Sequence, residues 1–176
     1  MVVFDSSVLL LVLDPQAKSP TDPATGEAVV QAPERIEYLI MRLTAAREKI
    51  VIPTPVLSEV LVFADDAMSQ YLDVLNNSAA FRIVPFDQKA AIEAAISMRE
   101  ALRSGGLRAN APSADATRTK IKFDRQIVAI AKAEGAHTIY ADDKDVHSYA
   151  SRSGLKAIRT ADLDLPPEDP QQSFDI

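Results

Sequence analysis

Acidic residues at four separate places in this sequence have the chemistry to hold a divalent cation. Asp5 follows the apolar run VVF, Glu59 lies within TPVLSEVLVFA, Asp124 opens the segment DRQIVAIAKA, and Asp142 and Asp143 follow HTIYA. Clustered carboxylates repel one another at neutral pH, and a site made of oxygen ligands selects Mg²⁺ or Mn²⁺ over zinc. If the fold gathers these acids, we expect a Mg²⁺ or Mn²⁺ site.

Glu59 is the most informative of these acids. It is the only charge in a helix predicted from Pro55 to Ala64, which is otherwise apolar on nearly every side. A lone ionised carboxylate buried in such a helix costs several kcal/mol unless it is paired or bound to a metal. The alternative is a buried salt bridge, but no nearby base in the sequence is an obvious partner. The pattern therefore favours a buried metal ligand.

Asp5 and Asp124 each have an alternative role as a helix cap. Both stand where a helix is predicted to begin, and an aspartate at that position is an ordinary N-cap worth about 1 kcal/mol. Ser6 and Ser7 can also cap the first of these helices. Open α/β sheets place ligands at the carboxyl ends of their strands, which is where Asp5 falls. For Asp124 the cap and the ligand interpretations both stay open.

The acidic loop Asp142–Asp145 follows a predicted strand. A charged loop in this position is usually solvated surface, and we expect only one or two of its three aspartates to face a site. Their significance lies in the combination, because acids at two strand ends and on two helices can meet at one edge of a sheet.

The elements that must position these acids alternate between strand and helix, which predicts a parallel sheet in a three-layer α/β/α sandwich. The segment 14–33 holds four of the eleven prolines and is predicted to be a long loop. One domain over residues 1–160 and an acidic, disordered tail over 161–176 account for the whole chain. The predicted strands are Val2–Phe4, Lys49–Pro53, Phe81–Val84, Thr138–Ala141 and Lys156–Ile158.

Composition narrows the class of protein. A chain of 176 residues suits a single core, and no apolar run approaches the roughly 18 residues of a membrane span, so a soluble, cytoplasmic protein is expected. The sequence has no cysteine, which excludes disulfides, thiolate zinc sites and cysteine nucleophiles. Any metal site must use oxygen atoms or the two histidines.

The net charge of −6 argues at first against a phosphate-rich partner. Five of the 25 acids but none of the 19 Lys and Arg lie beyond Thr160, which leaves 20 acids against 19 bases in the body of the chain. One segment, 103–122, is basic and is predicted to be mostly loop. Its candidates for contact with a phosphate backbone are Arg108, Arg118, Lys120 and Lys122.

The segments FDSS, TPVLSE, FDRQIVAIAKAEGA and IYADDKDV, in this order, resemble the PIN-domain ribonucleases, and in particular the VapC-like toxins of toxin–antitoxin pairs. The resemblance runs from Val2 to about Ile158. The family's four acids fall on Asp5, Glu59, Asp124 and Asp143, with Asp142 as the alternative for the fourth. The hydroxyl of the first motif falls on Ser7.

The resemblance implies a sheet of about five parallel strands, Mg²⁺- or Mn²⁺-dependent cleavage of RNA by metal-activated water, a homodimer and an antitoxin protein as partner. The basic candidates would then guide the RNA backbone.

Two alternative functions stay open. One is a binding module with weak catalysis that holds RNA or protein. The other is a haloacid-dehalogenase-type phosphatase, whose second acid would fall on Ser7.

Overall fold

The fold is built on one sheet of five parallel strands in the order β3-β2-β1-β4-β5. The computed structural model describes residues 1–103 and 118–167. The strands are β1 (Val2–Phe4), β2 (Ile50–Pro53), β3 (Phe81–Val84), β4 (Thr138–Tyr140) and β5 (Lys156–Ile158). The helices are α1 (Ser6–Leu13), α2 (Ala32–Ala45), α3 (Thr54–Val62), α4 (Met68–Asn77), α5 (Gln88–Arg103), α6 (Arg118–Ala133) and α7 (Lys144–Arg152). Short 3-10 helices span Asp65–Ala67 and Thr160–Asp162.

The three central strands are the core of the molecule. Every residue of β1, β2 and β4 is buried, as expected where helices cover both faces of a parallel sheet. Val3 of β1 lies between Val51 of β2 and Ile139 of β4. The apolar runs VVF, IVIP and TIY are therefore continuous, because both of their faces are inside.

Helices form a layer on each face of this sheet. The connections from β1 to β2 and from β2 to β3 run one way along the sheet, and those from β3 to β4 and from β4 to β5 run the other way. With right-handed crossovers this puts α1–α4 on one face and α5–α7 on the other. The contacts agree: α1 packs against α2 and α3, and α6 packs against α5 and α7. The predicted three-layer α/β/α sandwich is confirmed.

Two predicted boundaries near the acids are wrong. Helix α6 begins at Arg118, six residues before the predicted start at Asp124, so the end of the basic segment is helix and not loop. Ile121 stands seven residues before Val128, so it extends the apolar face of α6 by two turns toward the N-terminus. Lys120 and Lys122 on either side of it hid this helical spacing in the sequence. Helix α7 begins at Lys144, inside the predicted acidic loop, because Asp143 caps it.

The domain also extends beyond its predicted end at residue 160. Leu163 is only 9% exposed, and Arg35 of α2 donates a hydrogen bond to its carbonyl oxygen. Arg42, two turns further along α2, forms an ion pair with Asp164. The first part of the predicted tail is thus packed against α2, while residues 168–176 lie outside the described residues.

The prediction of a long loop over residues 14–33 is confirmed up to the start of α2, with one isolated antiparallel bridge between Thr21 and Ala28. Across residues 1–103 and 118–167, no helix has both the length and the apolar character that a membrane span needs.

Leu163 tests whether the segment after β5 belongs to the folded domain. Leu163→Ala should destabilise the protein by about 2–5 kcal/mol, because it removes packed methyl groups. Leu165→Ala is the matched control, since Leu165 is 47% exposed and should change stability by less than about 0.5 kcal/mol. Urea unfolding midpoints would measure both, and equal midpoints would show that this segment contributes nothing to the fold.

Candidate active site

The predicted acids converge at the point where the strand order reverses. β1 lies between β2 and β4, and connections leave in opposite directions on its two sides, which opens a crevice at the carboxyl ends of β1 and β4. Asp5 follows β1 and Asp143 comes three residues after β4. The two strand ends are joined, because the Asp5 N–H donates to the Tyr140 carbonyl at 3.0 Å and the Asp142 N–H donates to Ser7 Oγ at 3.0 Å.

A cavity of about 530 Å³ opens at this crevice. Helices α3 and α6 contact each other, which brings side chains from both to its wall. The structure therefore brings together the four acids that the family resemblance selects. The charged residues of the cavity wall are Asp5, Glu59, Asp124, Asp143 and Lys120.

Asp5 is the most deeply buried of these acids, with 2% of its surface exposed. It stands at the N-cap position of α1, but its side chain makes no capping hydrogen bond. Burial raises the pKa of Asp5 to about 7. The hydrogen bonds from the Ser6 backbone and the Ser7 side chain lower this pKa, and the charges of Glu59 and Asp143 raise it. The Ser7 hydroxyl donates to Asp5 Oδ2 at 3.2 Å, so this serine orients the carboxylate.

Asp124 lies in the second turn of α6, so the interpretation as an N-cap is wrong. Its side chain is 6% exposed, and its Oδ2 atom is buried without a hydrogen-bond partner in the part of the chain that the structure describes. Burial and the nearby charge of Asp143 raise the pKa of Asp124 to about 7, against the opposing charge of Lys120. A buried acceptor that faces a cavity and lacks a donor is suited to a cation.

Asp142 and Asp143 point to different places. Asp143 caps α7 through Oδ1, which accepts from the N–H groups of Asp145 and Val146 at 2.7 and 3.2 Å. Both oxygens of Asp142 instead bind Thr160, one accepting from its N–H at 2.9 Å and the other from its hydroxyl at 2.6 Å. Asp142 is not part of the cavity wall, and we leave it out of the proposed ligand set.

The two aspartates also differ in acidity. Burial raises the pKa of Asp142 against the hydrogen bonds from Thr160. Burial acts the same way on Asp143, but the hydrogen bond from Lys120 and those from the backbone outweigh it and lower the pKa of that carboxyl.

Glu59 reaches the cavity from α3, but it is exposed, so the prediction of a buried glutamate is wrong. Helix α3 packs through Pro55, Val56 and Val60, while Val62 and the following Phe63 face solvent. Although α3 is apolar on nearly every side, only one of its sides is buried. Glu59 therefore lies at the site without the cost of burying a charge that the sequence analysis assumed.

The predicted phosphate-binding bases have different positions. Lys122 is exposed on α6, as expected for such a role. Lys120 instead turns into the acidic cavity, where its Nζ lies 2.9 Å from Asp143 Oδ2 and 3.0 Å from Asp145 Oδ2. Arg108 and the side chain of Arg118 lie outside the described residues.

Asp145 is a participant that the sequence analysis missed. It is buried beneath Lys120, although the sequence places it in an apparently solvated acidic loop. The sequence did contain a signal, because Asp143 can cap a helix that starts at Lys144. Asp145 then lies in the first turn of that helix, from where it can point back toward the sheet. Predicting that helix two residues late, after Asp145, concealed it.

The donor set at the cavity fits a hard divalent cation in chemistry. Its carboxylates offer oxygen ligands, and Asp124 Oδ2 accepts no hydrogen bond from the described part of the chain. Among the described residues, no three acids or histidines are already arranged around a single metal position. Asp143 is instead paired with the ammonium of Lys120, the only base on this wall among the described residues.

No model of a known protein family matches the sequence, and no curated protein matches it. Several solved structures share its fold. A chain of VapBC2 from Rickettsia felis, bound to a DNA fragment from its promoter, is 17% identical with a TM-score of 0.57, over 90% of this chain and 98% of that one. A chain of FitAB bound to the IR36 DNA fragment is 16% identical with a TM-score of 0.58, over 93% and 98%.

A third structure is VapC20 of Mycobacterium tuberculosis, a toxin that cleaves the Sarcin-Ricin loop. It is 14% identical with a TM-score of 0.50, over 88% of this chain and 96% of that one. The chain has the PIN-domain fold of VapC toxins. The resemblance found in the sequence is thereby confirmed at the level of fold, and the PIN-like sheet carries the acidic cavity at its switch point.

The raised pKa values of Asp5 and Asp124 predict a pH-dependent stability. Both lie above the unfolded value of 3.8, so the stability of the metal-free protein should fall as the pH rises through about 7. Asp124→Asn removes the part of this loss that comes from Asp124. It should be more stable than wild type by on the order of 2 kcal/mol at pH 8, with a smaller gap at pH 5.

Chemical unfolding in EDTA at several pH values would measure this gap. Asp73→Asn, on the exposed side of α4, is the control for a lost aspartate charge. A gap between wild type and Asp124→Asn that stays constant from pH 5 to pH 8 would contradict the assignment.

Proposed function

We propose that this PIN-like protein is an Mg²⁺- or Mn²⁺-dependent endoribonuclease of the toxin type, acting in the cytoplasm. The observation that carries the proposal is Asp124, a buried carboxylate in a cavity shared with three other acids. One of its oxygens has no hydrogen-bond partner among residues 1–103 and 118–167. The PIN-domain fold supports it, because the cavity lies at the ligand-binding edge of an open α/β sheet.

In this proposal Asp5, Asp124 and Asp143 hold the ion, and Glu59 approaches from the solvent side. A divalent ion in such a site lowers the pKa of a bound water and neutralises charge on the leaving oxygen of a phosphodiester. Ser7 keeps Asp5 oriented through its hydroxyl. Lys122, with Arg108 and Arg118 as further candidates, would attract the RNA backbone. No side-chain nucleophile is required.

Substitutions in the acidic set test the catalytic proposal. Asp5→Asn and Asp124→Asn should each reduce Mn²⁺-dependent cleavage of total RNA by roughly 100-fold or more, because each removes a proposed ligand. Asp142→Asn is the matched control, since its carboxylate binds Thr160 outside the cavity, and it should keep most of the activity.

Thermal unfolding with and without Mn²⁺ separates loss of function from loss of fold. Mn²⁺ should raise the melting temperature of wild type and of Asp142→Asn but not that of Asp124→Asn. Full cleavage by Asp5→Asn and Asp124→Asn would overturn the catalytic proposal. RNA binding without cleavage in every variant, wild type included, would favour a binding module instead.

An antitoxin protein is the proposed partner. The supporting observation is that one chain of VapBC2 and one chain of FitAB share the fold of this protein. Both were solved as complexes bound to DNA fragments. Co-purification with the product of the adjacent gene would test the pairing. A small protein with a DNA-binding fold and a disordered tail is the kind of partner expected there.

We also propose a homodimer, because Val62 and Phe63 leave apolar surface exposed at the end of α3. Phe63→Asp should then convert the dimer to a monomer by placing a charge in the interface. Light scattering would measure the change from twice the chain mass of 19.1 kDa to that mass itself. A monomeric wild type at micromolar concentration would contradict the proposal.

A further inference from the structure

Lys120 places a permanent positive charge inside the acidic cavity. It stands four residues before Asp124 on α6, so both side chains lie on the same face of the helix. Its Nζ contacts Asp143 Oδ2 at 2.9 Å and Asp145 Oδ2 at 3.0 Å. The ammonium therefore bridges an acid of the cavity wall and an acid buried behind it.

Both oxygens of Asp143 are engaged in this arrangement. Oδ1 caps α7, and Oδ2 accepts from Lys120. A divalent ion that approached Oδ2 would meet the ammonium at the same oxygen, and two cations at that distance repel strongly in a partly buried site. Coordination by Asp143 therefore requires Lys120 to move away from it.

Asp145 makes that movement inexpensive. It is buried and is not part of the cavity wall, so it stays available to Lys120 when Asp143 is taken by an ion. Releasing the lysine from Asp145 as well would break an ion pair to a carboxylate that is only 1% exposed, and breaking a buried ion pair is destabilising. Retaining the Asp145 pair confines the change to one hydrogen bond and a small shift of a flexible side chain.

We propose that Lys120 is a built-in competitor of the divalent ion: it bridges Asp143 and Asp145 in the metal-free protein, and it leaves Asp143 but keeps Asp145 when the ion binds. The inference rests on the proposed metal site and adds to it a mechanism that sets its affinity. By reciprocity, if the ion displaces the lysine from Asp143, the lysine weakens binding of the ion by the same factor.

Mn²⁺ affinity is the direct test, and calorimetry or the electron paramagnetic resonance of free Mn²⁺ measures it without RNA. Lys120→Met should bind Mn²⁺ about tenfold more tightly than wild type, because Asp143 no longer has a competing partner. Lys122→Met is the control for removing a positive charge near the site, since Lys122 is exposed two residues along the same helix. Its affinity should stay within about twofold of wild type.

Lys120→Arg keeps the positive charge, and it is the second test variant in case Lys120→Met does not fold. A guanidinium can bridge both acids, so this variant should bind Mn²⁺ no more tightly than wild type. In the wild type, Mg²⁺ should also shift the nuclear magnetic resonance signal of the Lys120 ε-carbon, which reports the exchange of partners directly.

The outcomes separate this inference from the proposed function. Mn²⁺ binding to wild type with equal or weaker binding to Lys120→Met would overturn the competitor role and leave the metal site intact. An equal gain in Lys122→Met would overturn it as well, because the effect would then be general electrostatics. Absence of Mn²⁺ binding in all variants would overturn both proposals.

Discussion

Burying carboxylates at the edge of a hydrophobic sheet is the constraint around which this molecule is arranged. Asp5 and Asp124 are almost fully enclosed, and burial raises the pKa of each to about 7. Near neutral pH such groups either take up protons or require a cation. Ser7 donates a hydrogen bond to Asp5, whereas Asp124 Oδ2 receives none from the part of the chain that the structure describes.

The topology explains why the acids meet. With the strand order β3-β2-β1-β4-β5, the segment after β1 lies beside the segment after β4, although more than 130 residues separate Asp5 from Asp142. Helix α6 crosses back to the same edge and contacts α3, which adds Asp124 and Glu59. The short β1 and β4 strands are buried on both faces, so the positions of these side chains depend on the packing of the core.

The same crevice offsets part of its negative charge internally. Lys120 pairs with Asp143 and Asp145, and the backbone of α7 donates to the other oxygen of Asp143. These contacts lower the pKa of Asp143, whereas burial raises the pKa of Asp5 and of Asp124. The acids of one cavity thus differ in acidity. In the proposed nuclease, this difference marks Asp5 and Asp124 as the carboxylates that gain most from a bound ion.

Local patterns in the chain were enough to predict the five strands, the parallel sheet and the place of Asp5 at a strand end, because apolar periodicity and strand-end acids reflect short-range physical rules. Asp124 and Asp143 were selected as site residues by the family resemblance. Three features depended on tertiary packing. Glu59 is exposed because only one side of an apolar helix found a partner. Asp142 turned to Thr160, 18 residues away, while its neighbour Asp143 capped α7. Lys120 lies in the cavity because α6 begins at Arg118 and packs beside α7. The sequence shows that Lys120 is a base, but only the tertiary structure shows that its partners include Asp143 and Asp145.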